Sequence, residues 1–89
     1  MSILIANSTV LAAHNLRAKH NVINKAYVVV HGLQVNAAFI QLTVTISQAR
    51  QALTTVCDFF ITDLPQFDVI FGECWTSLCS EINGASFQL

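Results

Sequence analysis

Few side chains in this sequence are chemically versatile, and their spacing fits no common catalytic or metal-binding pattern. The 89 residues include five acidic, four basic, three histidine and three cysteine side chains. The carboxylates all lie beyond residue 57, at Asp58, Asp63, Asp68, Glu73 and Glu81. The first 57 residues therefore offer no carboxylate that could work as a general acid or base.

Two cysteines and three histidines would have to supply any zinc site: Cys74, Cys79, His14, His20 and His31. Structural zinc sites use four ligands in tightly spaced pairs, and these five residues are spread too widely for that arrangement. We therefore expect buried or half-buried thiols, with no metal and no cofactor. A cysteine–histidine nucleophile pair stays open as an alternative, but the neighbouring sequence marks no cysteine as activated.

The composition indicates a single globular domain, residues 1–89, whose surface is partly covered by another protein. Hydrophobic residues make up 54% of the chain and charged residues 10%, against a usual charged share of about a quarter. The net charge of −1 gives no electrostatic basis for binding nucleic acid or an anionic membrane. No apolar run approaches the ~20 residues that span a bilayer, and the start lacks a signal-peptide pattern. The odd cysteine count fits a reducing compartment, so we expect a cytoplasmic or nuclear protein that is not secreted.

Local patterns in the N-terminal third predict one strand, one helix and a second strand. Residues 3–7 form a short apolar run that is typical of a strand. A helix is predicted from Ser8 or Thr9, as cap, to about His20, and Asn21 is predicted to end it in a left-handed conformation. The β-branched run 27–30 predicts a strand that ends at a His-Gly turn.

The rest of the chain predicts mostly β structure. Apolar residues at every second position predict a long hairpin of strands 38–46 and 53–61, with one face in the core. A further strand is predicted at 67–71, a helical turn at 75–79 and a final strand at 85–89. Several short strands with one or two small helices indicate a closed or sandwich-like β domain.

The segment Phe67-Asp68-Val69-Ile70-Phe71-Gly72-Glu73-Cys74-Trp75 resembles the F/Y-D-V-I-L-G-x-x-W-L block of retropepsin-like aspartic protease domains of Ty3/gypsy-type LTR retrotransposons. Segments 60–65 and 82–89 are similar to the sequences that flank this block in the family. The resemblance implies a mainly β fold, a small closed antiparallel β-barrel with one or two short helices, in which two chains pair. It also implies structural roles for the matched residues Asp68, Val69, Ile70, Gly72 and Trp75, with Asp68 in a hydrogen bond at a turn or at the start of a strand.

The chain departs from this family at the catalytic signature. In the family the first strand ends in Asp-Ser/Thr-Gly, and the Asp shares a proton with its twin from a second chain to activate water. Here Leu4-Ile5-Ala6-Asn7-Ser8-Thr9 falls at that place, with Ala6, Asn7 and Ser8 at the three signature positions. Because alanine can neither polarise water nor accept its proton, we predict that the chain has no catalytic residues.

The sequence thus favours a catalytically inactive retropepsin-like domain, a pseudoprotease, that acts as a dimerisation or protein-interaction module. The expected partner is a second copy or another protein chain, with no nucleic acid and no membrane. One alternative is an aspartic endopeptidase of a retrotransposon polyprotein, active only as a homodimer. A second alternative is a small structural subunit of a larger assembly. An Asp side chain at the two-fold axis of a dimer would favour the peptidase.

Overall fold

A computed structural model of this protein describes residues 2–33, 38–48 and 50–81. These residues form seven strands and two short helices. The strands are β1 (Ser2–Ile5), β2 (Ser8–Thr9), β3 (Ala12–His14), β4 (Asn21–Asn24), β5 (Phe39–Gln48), β6 (Gln51–Thr62) and β7 (Val69–Phe71). The helices are α1 (Lys25–Val30) and α2 (Cys74–Glu81). The prediction of a mainly β fold with one or two short helices is confirmed.

All seven strands belong to one sheet, in the order β2-β1-β5-β6-β4-β7-β3. Within the described residues β2 and β3 form the two edges of this sheet, so it does not close into the predicted barrel. The sheet is also mixed, because β3 runs parallel to β7 and β4 runs parallel to β6. The architecture is therefore an open β-sheet rather than a closed antiparallel one.

The predicted hairpin is the longest feature of the sheet. Strands β5 and β6 pair from Phe39 opposite Phe60 to Gln48 opposite Gln51. Side chains alternate between the core and the other face, as the period-two pattern indicates: Phe59 is fully buried and Phe60 is exposed. The hairpin prediction is confirmed: β5 begins one residue later than predicted and ends two residues later, and β6 extends beyond both of its predicted ends.

The helix predicted from residues 8 or 9 to His20 is wrong. This stretch contains β2 and β3, followed by a loop that leads into β4. Strand β2 pairs with β1, and β3 pairs with β7, which lies more than fifty residues further along the chain. Long-range strand pairing therefore overrides the local helical signal, and Asn21 starts β4 instead of ending a helix.

The strand predicted at 27–30 is also wrong, since these residues belong to α1. The Asn24 side chain caps this helix by accepting a hydrogen bond from the Ala26 amide at 3.1 Å. Tyr27 and Val28 are buried in the core, which offsets the poor helix propensity of the valine run. The last two valines, Val29 and Val30, remain exposed.

The C-terminal part follows the prediction more closely. Strand β7 lies within the predicted strand 67–71, and α2 contains the predicted helical turn 75–79. Trp75 and Leu78 of α2 and Tyr27 and Val28 of α1 belong to the same core cluster as the inward-facing side chains of the sheet. The final strand predicted at 85–89 lies outside the described residues.

Candidate interaction surface

The residues aligned with the catalytic signature lie in a tight turn between β1 and β2. Ala6 and Asn7 both have positive φ angles, 53° and 63°, and the flanking residues Ile5 and Ser8 are paired. Two successive left-handed residues are typical of a type I′ hairpin turn. Both turn side chains are exposed, and the turn contains no carboxylate.

The buried Tyr27 hydroxyl supports this turn by donating a hydrogen bond to the Ile5 carbonyl at 2.9 Å. Burial, and secondly the charge on Asp68, raise the pKa of Tyr27 above its usual value, although a hydrogen bond with Ser8 opposes the shift. The phenol therefore stays protonated, and remains a donor, throughout the neutral range.

Asp68, the acid of the family-like block, connects three segments of the chain. Its carboxylate accepts a hydrogen bond from the Leu11 amide at 2.8 Å, and its own amide donates to the Leu11 carbonyl at 2.8 Å. Its carbonyl accepts a hydrogen bond from the Asn24 amide at 2.7 Å. These contacts are structural and lie just before β7, which is the kind of role that the sequence indicates for Asp68.

The other residues of the block pack in and around the core. Val69 and Trp75 are buried, Ile70 is half-buried, and Gly72 lies where the loop before β4 approaches most closely. A Cβ atom on Gly72 would be 2.6 Å from the carbonyl oxygen of His20 and 2.7 Å from that of Ala18. Glycine is therefore required here by the close approach of two backbone segments.

Asn21 holds this contact together from inside, and the sequence did not reveal that role. Its side-chain oxygen accepts hydrogen bonds from the Gly72 amide at 2.8 Å and from the Cys74 thiol at 3.0 Å. Its side-chain nitrogen donates to the Asp58 carbonyl at 3.1 Å. Asn21 is the buried polar residue of the described core. Through the hydrogen bonds of its side-chain amide, it connects β4 to β6 and to the start of α2.

Asn15, at the end of β3, is a second residue that sequence reasoning missed. Its amide donates to the Phe71 carbonyl at 2.8 Å, which fixes the end of β3 beside the end of β7. Its side-chain oxygen accepts a hydrogen bond from the Arg17 amide at 3.1 Å and shapes the following loop. Of the strands that precede β4, β3 is the one that pairs with the family-like block.

Asp58 and the Cys57 thiol have no catalytic features in the described part of the chain. Asp58 is exposed and accepts a hydrogen bond from the Gln41 side chain at 3.1 Å. Burial, with smaller contributions from charge on Cys74 and Asp58, raises the pKa of the Cys57 thiol from 9.0 to about 11. Cys57 is therefore a poor nucleophile near neutral pH. No group of three or more metal-binding side chains occurs among the residues that the structure describes.

The face of the sheet opposite the core carries a row of apolar side chains, which we call the outer row. Cross-strand pairs place its four members side by side on β5, β6, β4 and β7: Phe39, Phe60, Val22 and Ile70. The two phenylalanines are 51% and 41% exposed, and their ring centroids are 6.1 Å apart. The His20 ring meets Phe60 edge-on at 4.8 Å and lengthens the row. The half-exposed apolar side chains of the outer row therefore lie next to one another and form a candidate contact surface.

Comparison with known proteins gives no match to any protein-family model or to any curated protein. In the described ranges no helix is long and apolar enough to cross a membrane.

Proposed function

We propose that this chain is a catalytically inactive retropepsin-like domain that acts by pairing with another protein chain, in the first place a second copy of itself. The outer row is the observation that carries the proposal, because it leaves two phenylalanine rings half exposed on a chain of very low charge. The family assignment depends on the sequence block 67–75, and the mainly β fold supports it.

The lack of catalysis does not depend on which loop takes the place of the family signature. The sequence alignment puts Ala6 at the catalytic position, in the turn between β1 and β2. The pairing of β3 with the family-like block favours Asn15 as a second possibility, since β3 also ends in a loop. Neither residue is an acid, and every carboxylate of the chain lies at residue 58 or later. Both alignments therefore remove the shared-proton pair that peptide hydrolysis requires.

The outer row has a suitable size for the centre of an interface. A phenylalanine side chain buries roughly 200 Å², so covering the exposed halves of Phe39 and Phe60 removes roughly 200 Å² of apolar surface per chain. That is about a quarter of the ~800 Å² per partner that a standard interface buries. The neighbouring outer face of the hairpin supplies polar surface for the remainder: the hydrogen-bonded pair Gln41–Asp58 comes next to the outer row, followed by Thr43–Val56 and Thr45–Thr54.

Sedimentation equilibrium of the purified chain tests the pairing. We expect a dimer at concentrations on the order of tens of micromolar. Phe60→Thr should weaken it at least about thirtyfold, because a two-fold interface loses the ring twice and each loss costs more than ~1 kcal/mol. Val29→Thr is the matched control, since Val29 is 69% exposed on α1 and lies outside the outer row. A monomer that binds no protein chain would refute the proposal, and equal effects of the two substitutions would refute the role of the outer row.

Peptide cleavage assays at acidic pH test the absence of catalysis separately. We expect no turnover of a peptide library and no binding of a pepstatin-type inhibitor, because acid–base assistance worth ~10²–10⁴-fold is missing from both chains. Two variants test which loop corresponds to the family's catalytic signature: the triple change Ala6→Asp, Asn7→Ser and Ser8→Gly, and the single change Asn15→Asp. The variant that restores weak peptidase activity identifies the corresponding loop. Cleavage by the unmodified chain that is lost on substitution of Asp58 or Asp68 would refute the claim.

A further inference from the structure

A pocket of about 290 Å³ opens between β2, α1 and the residue before β7. Its walls include Thr9, Ala26, Tyr27, Val30, His31 and Asp68. The volume is at the lower end of the range for small-ligand sites, and it is sufficient for one side chain or a small organic molecule. The pocket lies on α1 and the β1–β2 hairpin, and none of its lining residues belongs to the outer row.

The polar groups that line the pocket are suited to binding a cation. Asp68 carries the formal negative charge in the lining, and no lysine or arginine is among the described lining residues. One oxygen of its carboxylate accepts the Leu11 amide at 2.8 Å, which fixes the orientation of the group. The described part of the chain shows no donor bonded to the second oxygen. A carboxylate that is held in place and keeps one oxygen available is preorganised to accept a charged donor.

The other residues that line the pocket can contact an alkyl chain attached to that cation. Ala26 and Val30 contribute methyl groups, and Val30 is 79% exposed at the rim. Tyr27 and His31 also line the pocket, and their rings lie against each other with centroids 4.0 Å apart. Aromatic faces attract ammonium and guanidinium groups, and methyl groups pack against methylenes.

We propose that this pocket binds an organic cation, a primary ammonium or guanidinium group on an alkyl stem about as long as a lysine or arginine side chain. The source of the cation is either a free amine or a basic side chain of a partner protein, and both present the same chemistry. The proposal goes beyond the pairing function and is independent of it, because the pocket and the outer row share no residue.

Nuclear magnetic resonance titration of the ¹⁵N-labelled chain with n-butylammonium tests the site, and n-butanol serves as the uncharged probe of similar shape. We expect saturable shifts at the amides of Ala26, Tyr27 and His31, with a dissociation constant on the order of millimolar. Asp68→Asn keeps an oxygen for the Leu11 amide but removes the charge, so binding should weaken about tenfold. Asp63→Asn makes the same change in charge at an exposed acid outside the pocket and should leave binding unchanged.

A second pair of variants tests the site without any change to Asp68. Val30→Lys places a tethered ammonium at the rim, where it should occupy the carboxylate and weaken n-butylammonium binding at least fivefold. Val29→Lys adds the same charge at the preceding position of α1, which is 69% exposed and does not line the pocket, and it should have little effect.

Comparison of Nα-acetyl-lysine-N-methylamide with n-butylammonium separates the two sources of the cation. Tighter binding of the blocked lysine assigns the pocket to a partner side chain, and tighter binding of the simple amine assigns it to a free ligand. The proposal is overturned if n-butanol binds as well as n-butylammonium, if no probe gives saturable shifts, or if Val29→Lys and Val30→Lys act alike.

Discussion

Replacement of Gly72 by alanine should be more damaging than the same replacement at Gly32, the other glycine of the described residues. The new Cβ would lie 2.6 and 2.7 Å from two backbone oxygens, those of His20 and Ala18, whereas ordinary contact begins at 3.4 Å. Backbone oxygens cannot rotate away as a side chain can, so the loop before β4 has to move as a unit. That movement breaks the hydrogen bond from the Glu73 amide to the Ala18 carbonyl, which is 2.7 Å long.

The magnitude follows from these two losses. Overpacking of a tight site costs about 1–3 kcal/mol, and leaving a hydrogen-bonding group unsatisfied costs about 1–3 kcal/mol more. We therefore expect Gly72→Ala to lower the free energy of unfolding by about 3 kcal/mol, as measured by urea denaturation followed by circular dichroism. An unchanged slope of free energy against urea would show that the denatured state is the same.

Gly32→Ala is the matched control because it adds the same methyl group in open space. No atom lies within 4 Å of the added Cβ, but the φ angle of +62° is unfavourable for alanine. Left-handed alanine costs roughly 1–2 kcal/mol, and the reduced entropy of the unfolded chain returns about 0.4–1 kcal/mol of this. We expect a net loss of about 1 kcal/mol. If Gly72→Ala costs no more than Gly32→Ala, the argument from close backbone approach is refuted.

Three further perturbations test the contacts around the family-like block. Asn21→Ala should lower the free energy of unfolding by about 1–3 kcal/mol, because it leaves the buried Gly72 amide without its acceptor, and a urea midpoint equal to wild type would contradict this. Asp68→Ala should cost about 1 kcal/mol through loss of the Leu11 hydrogen bond, whereas Asp68→Asn should retain most of the stability, and equal losses by thermal unfolding would contradict the structural role. The folded state binds the Cys57 proton more tightly than the unfolded state, so the Cys57 contribution to stability should be complete below pH 9 and disappear as pH rises towards 11. Cys57→Ala should flatten this decline in urea unfolding measured across that range, and an unchanged decline would assign it to other groups.

The sequence predicts the parts of this fold that are determined by residues close to each other along the chain. The β5–β6 hairpin follows from strict alternation, and the turn between the strands leaves no choice of partner. α1 was missed because Val28, Val29 and Val30 favour a strand by local propensity, while burial of Tyr27 and Val28 decides for a helix. The pairing of β3 with β7 was missed because nothing within one window of sequence encodes a partner at that separation.

The candidate site likewise has parts that the sequence indicated and parts that it did not. The resemblance implied a structural role for Asp68 at a turn or at the start of a strand, and its hydrogen bond from the Leu11 amide is a contact of that kind. The outer row could not be read, because its members come from four strands and become neighbours only through their register. Asn21 gave a misleading signal, since asparagine is common both at helix ends and in buried hydrogen-bond networks.

The position of β7, between β4 and the edge strand β3, has a consequence for the order in which the sheet can form during synthesis. Strand β7 is made late, yet β3 pairs with it directly, and β4 lies between it and the hairpin. The β5–β6 hairpin needs only local contacts and should form on a microsecond scale as soon as it leaves the ribosome. The segment 12–14, in contrast, has to wait for residues 69–71 to emerge. Nascent chains should therefore keep the segment 12–14 unpaired until late in translation, and slow elongation before residue 69 should lengthen the time for which its backbone stays unpaired.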